Sequence, residues 1–182
     1  MLRATTLLCA AAVVFMVQPS SGAGNEQRWM PIAQALGKTG SEMPGGIYRV
    51  GLPRTDLQVT LDGVALKPGF ALGSWVAFEP VGKDALVMGD LVLTGDEVEP
   101  VMRKLQEGGL EISALHNHLL RASPEPFYMH ISGHGNAVTL AHAIHDALVF
   151  SKTPLVEASA AARTNALTAT RGSGLRSVHG GI

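Results

Sequence analysis

From residue 85 onward, short apolar runs alternate with segments of helical spacing, and this order constrains the fold more tightly than any other feature of the chain. Residues 85–93 form one apolar run. Thr94-Gly-Asp-Glu97 then has the spacing of a capping box, although Glu99 before Pro100 offers an equally good N-cap with proline at the first helical position. Either start gives a helix that runs to about Gln106 and is closed by Gly108-Gly109. Residues 110–120 read as a strand, 121–126 as a proline-containing loop and 127–132 as a second strand. Asn136 is suited to cap a second helix whose Ala137, Leu140, Ala141, Ile144 and Leu148 share one face. The order is β-α-β-β-α, which predicts an α+β domain with helices packed on a mainly antiparallel sheet; a ferredoxin-like arrangement is one form of it.

The preceding residues supply further elements. Trp29, Ile32, Ala33 and Leu36 follow the i, i+3, i+4, i+7 spacing of a helical face over residues 25–36, and Gly37 is a stop signal. Residues 40–46 mix Gly, Ser and Pro as a loop before a short strand at 47–50. Leu57, Val59 and Leu61 alternate with polar residues up to the hairpin signal Asp62-Gly63. The apolar runs 70–78 and 85–93, separated by a polar turn, read as paired strands.

Residues 1–23 have the order of a secretory signal peptide: Arg3 as the only charge, an apolar run from Ala4 to Val17, then a small-residue stretch ending at Ala23. About fourteen apolar residues fall short of the length that crosses about 30 Å of hydrocarbon, so no stable membrane span is expected after cleavage. The expected location is periplasmic or secreted. Cys9, the only cysteine, lies inside that run and is poorly placed for lipid attachment. The mature chain therefore depends on its core rather than on disulfides.

Residues 24–150, the size of one domain, carry nine basic and fourteen acidic side chains. An acidic, aromatic-poor body argues against nucleic acid as a partner, because phosphate neutralisation needs a basic face. Residues 151–182 are rich in Ala, Thr, Ser and Gly and read as a flexible tail. Its Ala166-Leu167, Gly172-Ser173 and Gly180-Gly-Ile182 echo, in order, Ala35-Leu36, Gly40-Ser41 and Gly45-Gly-Ile47, either by coincidence in a biased segment or as the start of a truncated second copy.

Six of the seven histidines fall between His116 and His145. On a strand, His116 and His118 would share a face with Cα atoms about 6.5 to 7 Å apart, a workable bite for one metal ion. An antiparallel partner strand would bring back His130, whose neighbours Met129 and Ile131 suit the apolar side. His134 lies between two glycines just before a helix N-terminus, where a neutral imidazole is favoured. Three readings stay open: a metal site for zinc or copper built from His116, His118, His130 and His134; a metal-free pocket in which these residues bind a small ligand or act as acid and base; and histidines that only satisfy buried polar groups. Asp90, inside an apolar run, is either a buried site carboxylate or the start of a turn with Gly89; Glu125 is a candidate acidic ligand on a proline-flanked loop. Arg49 and Arg54 either bind an anionic group or lie on a solvated loop, and His142 and His145 read as solvated residues flanking a helical stripe.

The segments Gly45-Gly-Ile-Tyr-Arg-Val50, Pro53-Arg54-Thr-Asp56, Leu72-Gly-Ser-Trp75, Val87-Met-Gly-Asp-Leu91, Ala114-Leu-His-Asn-His118 and Met129-His-Ile-Ser-Gly-His-Gly135 together resemble the domain of unknown function shared with the mycobacterial lipoproteins LppY and LpqO. The resemblance covers roughly residues 29–154 and implies an exported or surface-attached bacterial protein, often with two copies of the domain, and no assigned activity. It marks His116, His118, His130 and His134 as motif positions. The expected function is an exported protein whose histidine-lined pocket binds a metal ion or small ligand. The alternatives are a metal-dependent envelope hydrolase, with Asp90 or Glu125 as base, and a non-catalytic interaction module.

Overall fold

The computed structural model describes residues 22–155, with side chains from residue 27. The signal segment before residue 22, the tail after residue 155 and the repeat echo within that tail lie outside the described residues. Helix α1 (Gly22–Leu36) buries Trp29, Ile32, Ala33 and Leu36, the face expected from their spacing. It ends where Gly37, at φ +81°, lets the chain turn back so that the amides of Gly37 and Lys38 bond to the Ala33 carbonyl.

Strand β1 (Ser41–Met43), within the stretch expected to be a loop, pairs with β2 (Ile47–Pro53). A hairpin of β3 (Thr60–Leu61) and β4 (Val64–Ala65) follows, turning through Asp62 and Gly63, both at positive φ. Phe70 falls in the short helix α2 (Pro68–Ala71) rather than in the strand expected over 70–78. Pro68 at the first turn supports that helix, and Phe70 is left exposed. Strands β5 (Gly73–Val81) and β6 (Asp84–Thr94) then form the expected hairpin.

Helix α3 (Gly95–Glu107) starts at Thr94, so the capping-box start prevails over the Glu99–Pro100 one. After α3 come β7 (Glu111–His116), β8 (Ala122–Ser123), β9 (Pro126–Gly135) and α4 (Ala137–Leu148). The Asn136 side chain accepts hydrogen bonds from the amides of Val138 and Thr139, each at 3.1 Å, and Leu140, Ala141, Ile144 and Leu148 are buried as expected.

The main sheet is antiparallel throughout, in the order β1-β2-β5-β6-β9-β7. Strands β6 and β7 run parallel with β9 between them, which makes β6-α3-β7 the split unit of a ferredoxin-like fold. The arrangement departs from that fold on the other flank, where β5, which precedes the unit, occupies the place of a strand that would follow α4. Helices α1, α3 and α4 cover one face, where Val50, Leu52, Val76, Phe78, Val87, Leu91, Met129 and Ile131 meet the helical stripes in a single core. No helix among the described residues is long and apolar enough to cross a membrane.

The other face is covered over only part of its length. A small sheet, β4-β3-β8, and α2 enclose a second cluster of Val59, Leu72, Val92 and Tyr128. Along β6 the side chains on this face pass from exposed to sealed: Leu86 is 36% exposed, Met88 55% and Val92 1%. Asp90 stands at the boundary.

Arg54 is fully buried at the junction of these layers. Its Nε and Nη2 donate to both oxygens of Asp56, at 2.9 and 2.8 Å. Nη1 donates to the Val92 carbonyl at 2.6 Å and to Glu97 at 2.8 Å, and Nη2 donates to Glu97 at 3.1 Å. Glu97 also accepts from the Thr94 amide, closing the α3 cap, and from the Lys152 amide after α4. Burial pushes the Glu97 carboxyl up, but the Arg54 hydrogen bond, the two amides and the Arg54 charge outweigh it and hold it below the usual carboxylate range.

Removing one partner of a buried charge network strands the others, so Arg54→Met should lower unfolding stability by about 3–5 kcal/mol, measured by urea titration. Arg49→Met, at an exposed position, should change it by about 0.5 kcal/mol or less. Because Glu97 is depressed in the folded state, its contribution is complete above the unfolded carboxylate value of about 4.3 and is lost as pH falls through the lower folded value. Glu97→Gln should therefore weaken the acid dependence of the urea midpoint.

Candidate functional site

The site forms at the boundary between the covered and open parts of the second face. Asp90 on β6 lies directly opposite His130 on β9, which lies opposite Ala114 on β7; one pair further on, Tyr128 faces His116. Met129 and Ile131 point to the core, as their alternation with His130 requires.

A one-residue irregularity decides which side chain of β7 joins this face. Register shifts between Ile112, opposite Ile131, and Ala114, opposite His130, so Ser113 is the extra residue of a β-bulge. Regular pairing from Ile112 would put Leu115 opposite Tyr128. Because side chains alternate with period two, the inserted residue exchanges the faces and presents His116 there instead. Strand β7 ends at His116, so His118 lies beyond it rather than on the same strand as expected. Asn117 turns the chain: its Oδ1 accepts from the Leu119 amide at 2.6 Å, and its Nδ2 donates to Glu125.

This turn brings the rings together. His116 Nε2 and His118 Nε2 are 2.6 Å apart, so one ring donates and the other accepts, and the ring centroids are 4.6 Å apart. His118 stacks on Tyr128 at 3.8 Å and an interplanar angle of 10°. The ring of His130 is 4.9 Å from that of His116, tilted by 49°. Tyr128 forms the base, its hydroxyl donating to the Ala71 carbonyl at 2.7 Å; burial, reinforced by the charge of Asp90, pushes its phenol up.

His134 is not brought to this group. It lies four residues further along β9, opposite Leu86, which places it about 13 Å along the strand from His130. Its place is taken by Asp90, whose Oδ2 lies 3.9 Å from His130 Nε2. Glu125 is committed to Asn117 on an exposed loop. His142 is exposed and His145 half-buried on α4, away from the site. Arg54, which the sequence left between an anion site and a solvated loop, is sealed in the interior network. Sequence reasoning missed Tyr128 and Trp75 as members of this face; the period-two alternation of residues 73–79 and 126–135 was the signal that could have found them.

Two polar atoms in the site are buried without a hydrogen-bond partner, Asp90 Oδ1 and His130 Nε2. Folded proteins rarely leave such groups unmade, because each costs about 1–3 kcal/mol. As the side chains stand, no three His, Cys, Asp or Glu residues among the described ones form a group able to hold a metal. The arrangement thus offers one paired set of imidazole nitrogens and two unsatisfied atoms beside it.

Residues 30–149 match the model of the Domain of Unknown Function family DUF1259. No curated protein and no solved structure matches the chain.

If Asp90 Oδ1 is kept unsatisfied for a ligand, replacing the carboxylate with an apolar side chain of similar shape should not weaken the ligand-free fold. In the presence of chelator, Asp90→Leu should be neutral or stabilising by about 1–3 kcal/mol in urea unfolding. A loss of stability of similar size would mean that Asp90 supports the fold.

Proposed function

We propose, from the premise that the chain belongs to the DUF1259 family, that it binds a divalent transition metal, zinc or copper, through His116, His118 and His130 with Asp90. The observation that carries this reading is the pair of buried, unpartnered atoms, Asp90 Oδ1 and His130 Nε2, beside the hydrogen-bonded ring nitrogens of His116 and His118. Imidazole with one carboxylate is a donor set suited to either metal. Since no three-donor group is formed among the described residues as the side chains stand, binding requires His130 or Asp90 to turn toward the His116–His118 pair and that pair to give up its hydrogen bond, because two nitrogens about 2.0–2.1 Å from one zinc lie more than about 3 Å apart. His134, included in the donor set by sequence spacing, is left out of it.

The finer resemblance to LppY and LpqO, together with the signal-like residues 1–23, supports an exported protein acting in the periplasm or outside the cell. A second reading, favoured by the same two unpartnered atoms, is a metal-free pocket in which His130 and Asp90 bind a small organic ligand. Hydrolysis would require in addition that a bound metal activate water with Asp90 as base.

Purified without a histidine tag, the protein should take up one zinc or copper ion per chain and unfold at a higher temperature with metal than with chelator. His116→Ala with His118→Ala should abolish both effects, and His134→Ala should leave both in place. No metal uptake, together with no thermal shift in the unmodified protein, would refute the metal reading.

A further inference from the structure

The open face continues from the histidines to a second chemical group. Trp75 on β5 lies directly opposite Asp90 on one side and Gly51 on the other, so Gly51, Trp75, Asp90, His130 and Ala114 form one row across five strands. The guanidinium of Arg49, from β2, lies over the Trp75 ring at 4.7 Å from its centroid. Arg49 makes no hydrogen bond or ion pair with the described residues, in contrast to Arg54, Arg103 and Arg121, which each hold a carboxylate. A guanidinium laid on an indole keeps its orientation while its edge donors remain directed outward, which suits it to a carboxylate or phosphate.

The floor beside this stack is bare. A Cβ at Gly51 or at Gly73, both on the Trp75 side of the sheet, would meet nothing within 4 Å. In the middle of the row, Asp90 Oδ1 is an acceptor without a donor. Across the sheet, from β2 to β9, is three strand spacings, or about 14 Å. Anion recognition at one end, open backbone alongside and an unmet acceptor further along select a ligand that has a charged end and hydroxyl donors.

We infer that this row is a binding site for a polyhydroxylated organic anion, whose carboxylate or phosphate meets Arg49 and whose hydroxyl groups meet Asp90 Oδ1. The inference rests on the reading that Asp90 and His130 face a ligand, and it extends the site beyond the histidines. Sugar acids and sugar phosphates share this chemistry.

Isothermal titration with glucuronate, glucose 6-phosphate, glucose and inorganic phosphate tests it. At least one of the two sugar anions should bind ten-fold or more tightly than glucose and also more tightly than inorganic phosphate; which of them does so identifies the anionic group. In Arg49→Met the preference over glucose should fall below two-fold, while zinc uptake and the urea midpoint stay unchanged. Equal binding of glucose and both sugar anions, binding of none of them, inorganic phosphate matching the sugar anions, or a preference that survives in Arg49→Met would each overturn the inference. A preference that holds in a protein taking up no zinc would sustain it while removing the metal reading.

Discussion

A guanidinium shut away from water must find an acceptor for each N–H it carries, and Arg54 finds them in Asp56, Glu97 and the Val92 carbonyl. Those acceptors belong to different parts of the molecule. Asp56 follows β2, Val92 lies in β6 within the second apolar cluster, and Glu97 caps α3 while also receiving the Lys152 amide beyond α4. One side chain therefore fixes the start of the α3 crossover relative to the sheet. An apolar replacement could fill the volume, but it could not join the α3 cap, the end of β2 and the segment after α4 by directional bonds.

The fixed end of the sheet is where its second face is covered, and the candidate site begins where that cover stops. Val92 and Tyr128 are sealed under the small sheet, whereas Asp90 and His130, one pair further along, are only partly enclosed. Partial enclosure removes water from Asp90 Oδ1 and His130 Nε2 without supplying a protein partner. The Ser113 bulge has a matching effect, because it presents His116 rather than Leu115 to this face. Both features cost stability or regular pairing and concentrate in one place, which is the pattern expected where function rather than folding sets the local structure.

Much of the fold was legible because it is written in local periodicity. The stripe of Trp29, Ile32, Ala33 and Leu36, the Asn136 cap, the Asp62-Gly63 turn and the alternation of His130 with Met129 and Ile131 each depend on residues close in sequence. What was not legible depends on distance or on a single inserted residue. Arg54 and Glu97 are separated by 43 positions, so no spacing pattern marks their pairing. Residues 70–78 are apolar apart from Ser74, and a run with so little polar alternation does not show where α2 gives way to β5. His116 and His118 do come together, but through a turn made by Asn117 rather than along a strand. His134 was grouped with the others by proximity in sequence, and the straight course of β9 carries it away.

The central claim is that the histidines of this chain are not equivalent, and that His116, His118 and His130 turn their nitrogens to one ligand while His134, His142 and His145 do not. Nitrogen NMR of the imidazole rings, recorded while zinc is added, reads this residue by residue. The account predicts that ring nitrogens of His116, His118 and His130 shift together and saturate at one equivalent, with those of His134, His142 and His145 unmoved. Shifts spread evenly over these six rings, or confined to His134, His142 and His145, would contradict it.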